Sequence, residues 1–196
     1  DWERIGTMKP ESSMRADARC LGAFRACCLL LCAWLAAAPP VSAETPTDVI
    51  LILDNSGSMR QNDPHFLLKS AVSKFVAGLT NDTHAGIVIF DSKVNYAVPL
   101  GDLDVNARNA VKRSIDGIDY RGQYTNIPAA MERAIYELKS AGRKDASKIV
   151  VFMTDGIVDT GNAAVDGAKT VWLREDLAAE AAEAGIRIYG IAFTQD

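Results

Sequence analysis

The sequence predicts an α/β domain built on a doubly wound, mostly parallel open sheet, with helices on both faces and one antiparallel edge strand. Three observations predict it. Continuous apolar runs of strand length recur after residue 43, helical periodicities lie between most of them, and one pair of runs is joined by only three residues. Such a connection is too short for a crossover helix, so those two strands must pair antiparallel.

The elements follow in order. Val49–Leu53 is apolar at every position, as suits a strand buried on both faces. Asp63-Pro64, an N-cap followed by Pro in the first helical position, leads into Leu68, Val72, Phe75 and Leu79 at helical spacing. Ile87–Phe90 is the second strand, and Asp91-Ser92-Lys93 turns it into Val94–Leu100. Pro99 lacks an N–H and places that third strand at a sheet edge. Val111, Ile115 and Ile118 continue from a cap at Asp104, and Ile127, Met131, Ala134 and Leu138 mark a helix with Pro128 in its first turn. Ile149–Met153 is the fourth strand, an Ala-rich helix runs from about Thr170 to a stop at Gly185, and Ile186–Phe193 is the last strand. The strand-helix-strand steps should cross over right-handed. With no internal repeat and no low-complexity linker after residue 43, residues 44–196 read as one domain of about 150 residues.

The 196 residues are 48% hydrophobic and 23% charged, which excludes a disordered tail, a collagen-like repeat and a multi-span membrane protein. A net charge of −4 gives no basic stripe for nucleic acid, so no nucleic-acid partner is expected. Residues 1–43 are a different object. They hold all four cysteines (Cys20, Cys27, Cys28, Cys32), five basic and four acidic residues, leaving 16 basic and 21 acidic residues, a charge of −5, for the rest. Arg15, Arg19 and Arg25, the apolar run Cys27–Ala38, Pro39-Pro40 and Val41-Ser42-Ala43 form the three regions of a secretory signal peptide, with cleavage near Ala43/Glu44. The apolar run is a dozen residues, short of the roughly 20 that span a bilayer. An uncleaved anchor, or lipidation at Cys32, is the alternative reading. Met14 is the expected start, and residues 1–13 are set aside. The working part is expected outside the cytoplasm: periplasmic, cell-surface or extracellular. Membrane association is then expected only through an uncleaved leader or a region beyond Asp196.

In open sheets of this kind, ligands bind beyond the carboxyl ends of the strands, where the winding direction switches. Asp54 follows the first strand, and Thr154-Asp155 follows the fourth. If the chain winds outward both ways from the first strand, these two strands are neighbours and their carboxylates converge. In Asp54-Asn55-Ser56-Gly57-Ser58 oxygen-bearing side chains stand at every second position, with Gly57 relieving crowding. An all-oxygen cluster without His or Cys suits a hard, compact six-coordinate cation of the Mg²⁺ kind. Taken alone, Ser56 and Ser58 could equally cap a turn.

The strand ending in Asp54-x-Ser56-x-Ser58, the Tyr124-Thr125-Asn126 leading into a helix and the Thr154-Asp155-Gly156 closing a later strand resemble a von Willebrand factor A-type domain with a metal-ion-dependent adhesion site. The resemblance covers about Thr47 to Phe193. It implies a Rossmann-like fold and a Mg²⁺ or Mn²⁺ ion held directly by the hydroxyls of Ser56, Ser58 and Thr125, with Asp54 and Asp155 bonding mostly through water. Neutral hydroxyls quench little of the ion's charge, so an open position attracts an anionic oxygen, which in this family a partner protein's Asp or Glu often supplies. The implied role is adhesion or protein binding, not turnover, in an exported bacterial chain. Two departures stand out. Gln123 and Tyr124 replace the small residues many relatives carry before the Thr and would narrow access or touch the ligand. The chain also stops at Asp196 where the family usually adds a strand and a helix, so it reads as a fragment whose last strand is an uncovered edge.

Other chemistries fit less well. A Mg²⁺-dependent phosphoryl transfer with Asp54 as nucleophile wants a second close carboxylate, yet position 56 is Ser, and Lys148 and Lys169 read as solvated charges. Gly161–Thr170 imitates a phosphate loop but misses its spacing, and reads as a flexible loop near the metal rim whose Asp159 and Asp166 tune partner choice or are solvated. His65 and His84 have no G-x-S-x-G elbow to serve. Trp172 and Tyr136 read as packing residues. A structural interaction module with an unused metal site is the remaining alternative.

Overall fold

A strand with no polar interruption can only sit at the centre of a sheet, and β1 (Thr47–Asp54) does: seven of its eight residues are buried. The computed structural model of the chain describes residues 45–194 except Asn81, all within the unit Glu44–Asp196. The leader and its cleavage site near Ala43 lie outside the described residues. β2 (Thr83–Phe90) and β4 (Ser147–Thr154) flank β1, both parallel to it, with Leu51 opposite Ile87 on one side and Val151 on the other. β3 (Val94–Asp102) pairs antiparallel with β2 and carries Pro99 on the edge, while β5 (Ile186–Ala192) pairs parallel with β4. The order β3-β2-β1-β4-β5 is the doubly wound sheet expected, and its switch point lies between β1 and β4. β1 to β4 outrun their apolar cores because backbone pairing continues into polar ends such as Asp48 and His84, whereas β5 stops at Ala192, one residue short of the expected run.

Alternation of side chains along β1 divides the core in two. Val49, Leu51 and Leu53 pack with Leu68, Val72 and Val76 of α2 (Leu67–Gly78) and Val111 and Ile115 of α3 (Val105–Asp116). Ile50 and Ile52 face the other way, onto Ile127, Met131, Ala134 and Leu138 of α4 (Ile127–Ser140) and Leu177 and Ala181 near the C-terminal end of the chain. Asp104 caps α3 through the Ala107 amide at 2.7 Å, and Asn126 caps α4 with Pro128 in its first turn.

Several local expectations are corrected. A four-residue helix, α1 (Met59–Asn62), precedes α2, and α2 begins at Leu67 instead of Pro64. Phe66 at φ 54° breaks the run, and Asp63 caps from outside it, accepting Leu67 N–H at 2.6 Å and Leu68 N–H at 2.9 Å. The helix face turns accordingly, burying Val76 and leaving Phe75 38% exposed. The segment from Gly161 is not a flexible loop: Asn162 caps α5 (Ala163–Trp172), which continues through a π-helical turn (Leu173–Leu177) into α6 (Ala178–Glu183) and stops at Gly185 with φ 67°. Its Ala-rich composition carries the helix past Gly167, which faces open space. Asp166 reaches back to accept from the Thr160 amide and hydroxyl, so it fixes the loop before the helix. Tyr136 is not packed but 61% exposed under the Arg133 guanidinium, whereas Trp172 does pack against the second core. In β5, Ile188, Tyr189 and Ile191 stay substantially exposed at the sheet edge. No helix among the described residues is long and apolar enough to cross a membrane.

At the amino end of β1, Asp48 is fully buried, and Arg143 answers it with its amide at 2.6 Å and its Nε at 2.8 Å, while Nη2 also donates to Thr47 and Asp82 carbonyls. Removing one partner of such a pair strands a buried charge. Arg143→Ala should therefore cost about 3 kcal/mol, the low end for buried pairs because the guanidinium is partly exposed, read as a lowered urea midpoint at unchanged m-value.

Candidate functional site

Three segments meet beyond the carboxyl ends of β1 and β4. Asp54, the last residue of β1, is fully buried, and its Oδ1 accepts the Ser56 amide at 2.7 Å, bending the chain so that Ser56 and Ser58 turn toward one point. The Ser56 and Ser58 hydroxyls stand 3.0 Å apart, and Ser58 Oγ donates to Asp155 Oδ1 at 2.9 Å across 97 residues of sequence. Convergence of Asp54 and Asp155 thus follows from the adjacency of β1 and β4, as the winding argument requires.

The middle segment is brought in by backbone. Gly57 N–H donates to Gly122 O at 2.8 Å and Gly122 N–H to Asn55 O at 3.1 Å, so the first and second loops are zipped together. Thr125 exchanges both backbone bonds with Asp159, and a Cβ on Gly156 would lie 3.4 Å from Thr125 Cγ2 and 3.8 Å from its Oγ1. Thr125 therefore stands beside the Asp155-Gly156 corner. Tyr124 does not lie free: its ring covers Gly161, whose own φ of 79° and lack of a side chain admit it. Asp54, Ser56, Ser58 and Asp155 are joined by hydrogen bonds, and Thr125 stands beside them. The histidines do not join them: His84 sits at the opposite end of the sheet with Nε2 2.9 Å from Asp102, and His65 lies in the turn before α2.

Two contributors were missed from sequence. Thr154 donates its hydroxyl to Asp54 Oδ2 at 2.5 Å, and Asn62, at the end of the unexpected α1, donates to Asp155 Oδ2 at 2.7 Å. Thr154 had a signal, since it neighbours Asp155 at a strand end. Asn62 had none, because a single-turn helix leaves no periodicity to read.

The negative charge of the site lies on Asp54 and Asp155. Burial pushes the Asp54 carboxyl above its ordinary value, hydrogen bonds from Ser56 and Thr154 oppose that, and the nearby Asp155 charge adds to the upward push. Among the described residues no ion pair includes Asp54 or Asp155, in contrast to Asp48 with its arginine. Nor do any three His, Cys, Asp or Glu side chains among them gather as a metal-ligand set. The cluster is instead three hydroxyls and two carboxylates, a donor set that fits a hard oxygen-seeking ion and not a thiolate- or imidazole-bound one.

A doubly wound sheet with an oxygen-rich cluster at its switch point defines a Rossmann-like domain. The family model of the von Willebrand factor type A domain matches residues 48–196, and the chain belongs to that family. Among solved structures it is similar to the conserved hypothetical protein BatB of Bacteroides thetaiotaomicron (22% identity, TM-score 0.55, covering 74% of this chain and 66% of that one). It is also similar to a von Willebrand factor type A protein of Catenulispora acidiphila (18%, TM-score 0.60, 74% and 33%). A third is proximal thread matrix protein 1 of the mussel byssus, whose adhesion-site motif is occupied by zinc (23%, TM-score 0.57, 76% and 38%). At these identities the likeness is one of fold, and the chain spans from a third to about two thirds of those proteins' lengths. No curated protein sequence matches the chain. Domains of this family are commonly metal-dependent protein-interaction modules.

Gly122 is the point where the loops touch most closely: a Cβ there would meet Asp91 Cβ at 2.3 Å and Asn55 O at 2.8 Å. Gly122→Ala should therefore destabilise the protein by about 1–3 kcal/mol through overpacking, measured by thermal unfolding in EDTA.

Proposed function

We propose that this domain is a metal-dependent protein-binding module that works outside the cytoplasm, engages an acidic group of a partner, and does not turn over a substrate. Ser56, Ser58 and Thr125 would hold Mg²⁺ or Mn²⁺ directly, with Asp54 and Asp155 contributing mainly through intervening water. The observation that carries this reading is the hydrogen-bonded convergence of Ser56, Ser58 and Asp155 on a buried Asp54 that no basic side chain among the described residues answers. When bound, the ion supplies a positive charge that hydroxyl ligands leave largely unneutralised, and hence an affinity for a carboxylate. The chain's own residues do the rest. Asp54 anchors the first loop through the Ser56 amide, Thr154 and Asn62 fix the two carboxylates, and the Thr125–Asp159 backbone pair holds the third hydroxyl in place.

A phosphoryl-transfer role gains no support. Both oxygens of Asp54 are already bonded and the residue is buried, so it is not presented as a nucleophile. The zinc in the byssus protein's motif makes the ion's identity something to test among Mg²⁺, Mn²⁺ and Zn²⁺. Export rests on the signal-like leader of residues 14–43.

An ion that binds only the folded state must stabilise it. At a concentration a hundredfold above Kd, Mg²⁺ or Mn²⁺ should add about 2.7 kcal/mol, or about 5–10 °C in Tm for a domain of this size. Asp54→Asn should lose that increment, yet be no less stable than wild type in EDTA, because it removes a buried charge left without a cation. An unshifted wild-type Tm with all three ions would sink the metal reading. The partner side is tested by capture from cell-envelope or extracellular extract: EDTA and Asp54→Asn should each release the same proteins, and retention under both conditions contradicts adhesion through the ion.

A further inference from the structure

We infer that Asp63 and Tyr120, neither of which reaches the oxygen cluster, form a latch that positions Thr125 relative to Ser56 and Ser58; the inference rests on the metal-dependent reading above. Tyr120 and Phe66 are the non-glycine residues at positive φ among those described, at 55° and 54°. Left-handed backbone disfavours bulky side chains, and it persists only where the surroundings over-determine it. Here the two residues support each other, their rings stacked at a 4.7 Å centroid distance and 5° between planes.

Every polar group of Tyr120 is then tied to the segment 55–68. Its hydroxyl donates to Asp63 Oδ2 at 2.6 Å, its amide to Asn55 Oδ1 at 2.8 Å, and its carbonyl accepts from Arg60 Nη2 at 2.9 Å. Both Tyr120 and Asp63 are fully buried. Asp63 receives two further donors, the Leu67 and Leu68 amides, so the carboxylate that starts α2 also fastens the second loop. Two residues after Tyr120 comes Gly122, whose backbone bonds zip the same loop to Asn55 and Gly57, and three residues further stands Thr125. The latch thus fixes where the Thr125 segment starts, while Asp159 fixes where it ends.

Such outlying partners orient ligands without touching the ion, and their loss typically weakens metal affinity about 10–100-fold. Tyr120→Phe keeps the ring stack and removes only the hydroxyl. In EDTA, amide hydrogen exchange at Gly122 and Thr125 should accelerate at least tenfold relative to the amides of β1, and in MgCl₂ titrations the Kd should rise about 10–100-fold. Arg60→Ala, a change to an exposed side chain that leaves the core intact, should move both readouts in the same direction by less, and keeps the test alive if Tyr120→Phe folds poorly. Ile135→Val, in the opposite core, should lower Tm while leaving Mg²⁺ affinity and the Gly122 and Thr125 exchange unchanged, which separates positioning from general destabilisation. Wild-type exchange at Gly122 and Thr125 in both loop variants overturns the latch whether or not the ion binds. A wild type that ignores Mg²⁺, Mn²⁺ and Zn²⁺ alike while Tyr120→Phe loosens the loop overturns the metal reading and leaves the latch standing as a feature of the loop.

Discussion

The constraint on which the site depends is that β1 ends in an acid. Six apolar or buried residues precede Asp54 with a strand paired on each side, so the carboxylate cannot swing out to water without undoing the centre of the sheet. Placing an ionised group there is unfavourable unless donors or a cation compensate. The donors supplied are neutral, the Ser56 amide and the Thr154 hydroxyl, and the charge that acts on it is another carboxylate, Asp155. The loops around it are shaped by a negative charge that the protein itself leaves partly unanswered.

Three buried aspartates in one small domain make the contrast sharp. Asp48, at the other end of the same strand, meets an arginine through amide and guanidinium. Asp63 meets two amides and a phenol, enough hydrogen bonds to satisfy a carboxylate locally. Both are complete as structural devices. Asp54 alone shares its surroundings with a second acid and with hydroxyls that could serve an ion from outside. The same residue type is thus complete in two places and left with its compensation unfinished in the third.

Much of this was legible in the sequence. The two-sided core followed from runs without alternation, the β1–β4 adjacency from outward winding in both directions, the antiparallel edge from Asp91-Ser92-Lys93, and the cap at Asp104 and the first-turn Pro128 from residue type. Asp54, Ser56, Ser58 and Asp155 stood out because spacing of two along a loop and placement at strand ends are local patterns, whereas Thr125 entered only through the family resemblance. What escaped was decided by tertiary context. Asp63 resembled an N-cap and does cap, but the left-handed Phe66 delays the helix, and such a conformation in an aromatic residue has no sequence signature. The helix from Ala163 was hidden because Gly167 and the Asn162 cap looked like a loop, and its π-turn shifts the face by a residue that no simple period anticipates. Asn62 and Tyr120 were invisible as contributors since their partners lie 93 and 57 residues away.

The three loops are not held with equal force, and this bears on how a binding site could respond to its surroundings. The first loop leaves the most buried strand and is braced by Asp54 itself, and the third leaves β4 with Thr154 fastened to that same aspartate. The middle segment leaves no strand at all. It is held by backbone bonds at 2.6–3.1 Å to Asn55 and Gly57 on one side and Asp159 on the other, and by the Asn126 amide to the Asp91 carbonyl just after β2. Of the three hydroxyls, Thr125 is therefore the one set by backbone bonds between segments and not by a strand that leads directly into it. Any force that separates the first loop from the third, whether an absent ion or a bound partner, should register first as displacement of Thr125, with Asp54 the last member of the cluster to move.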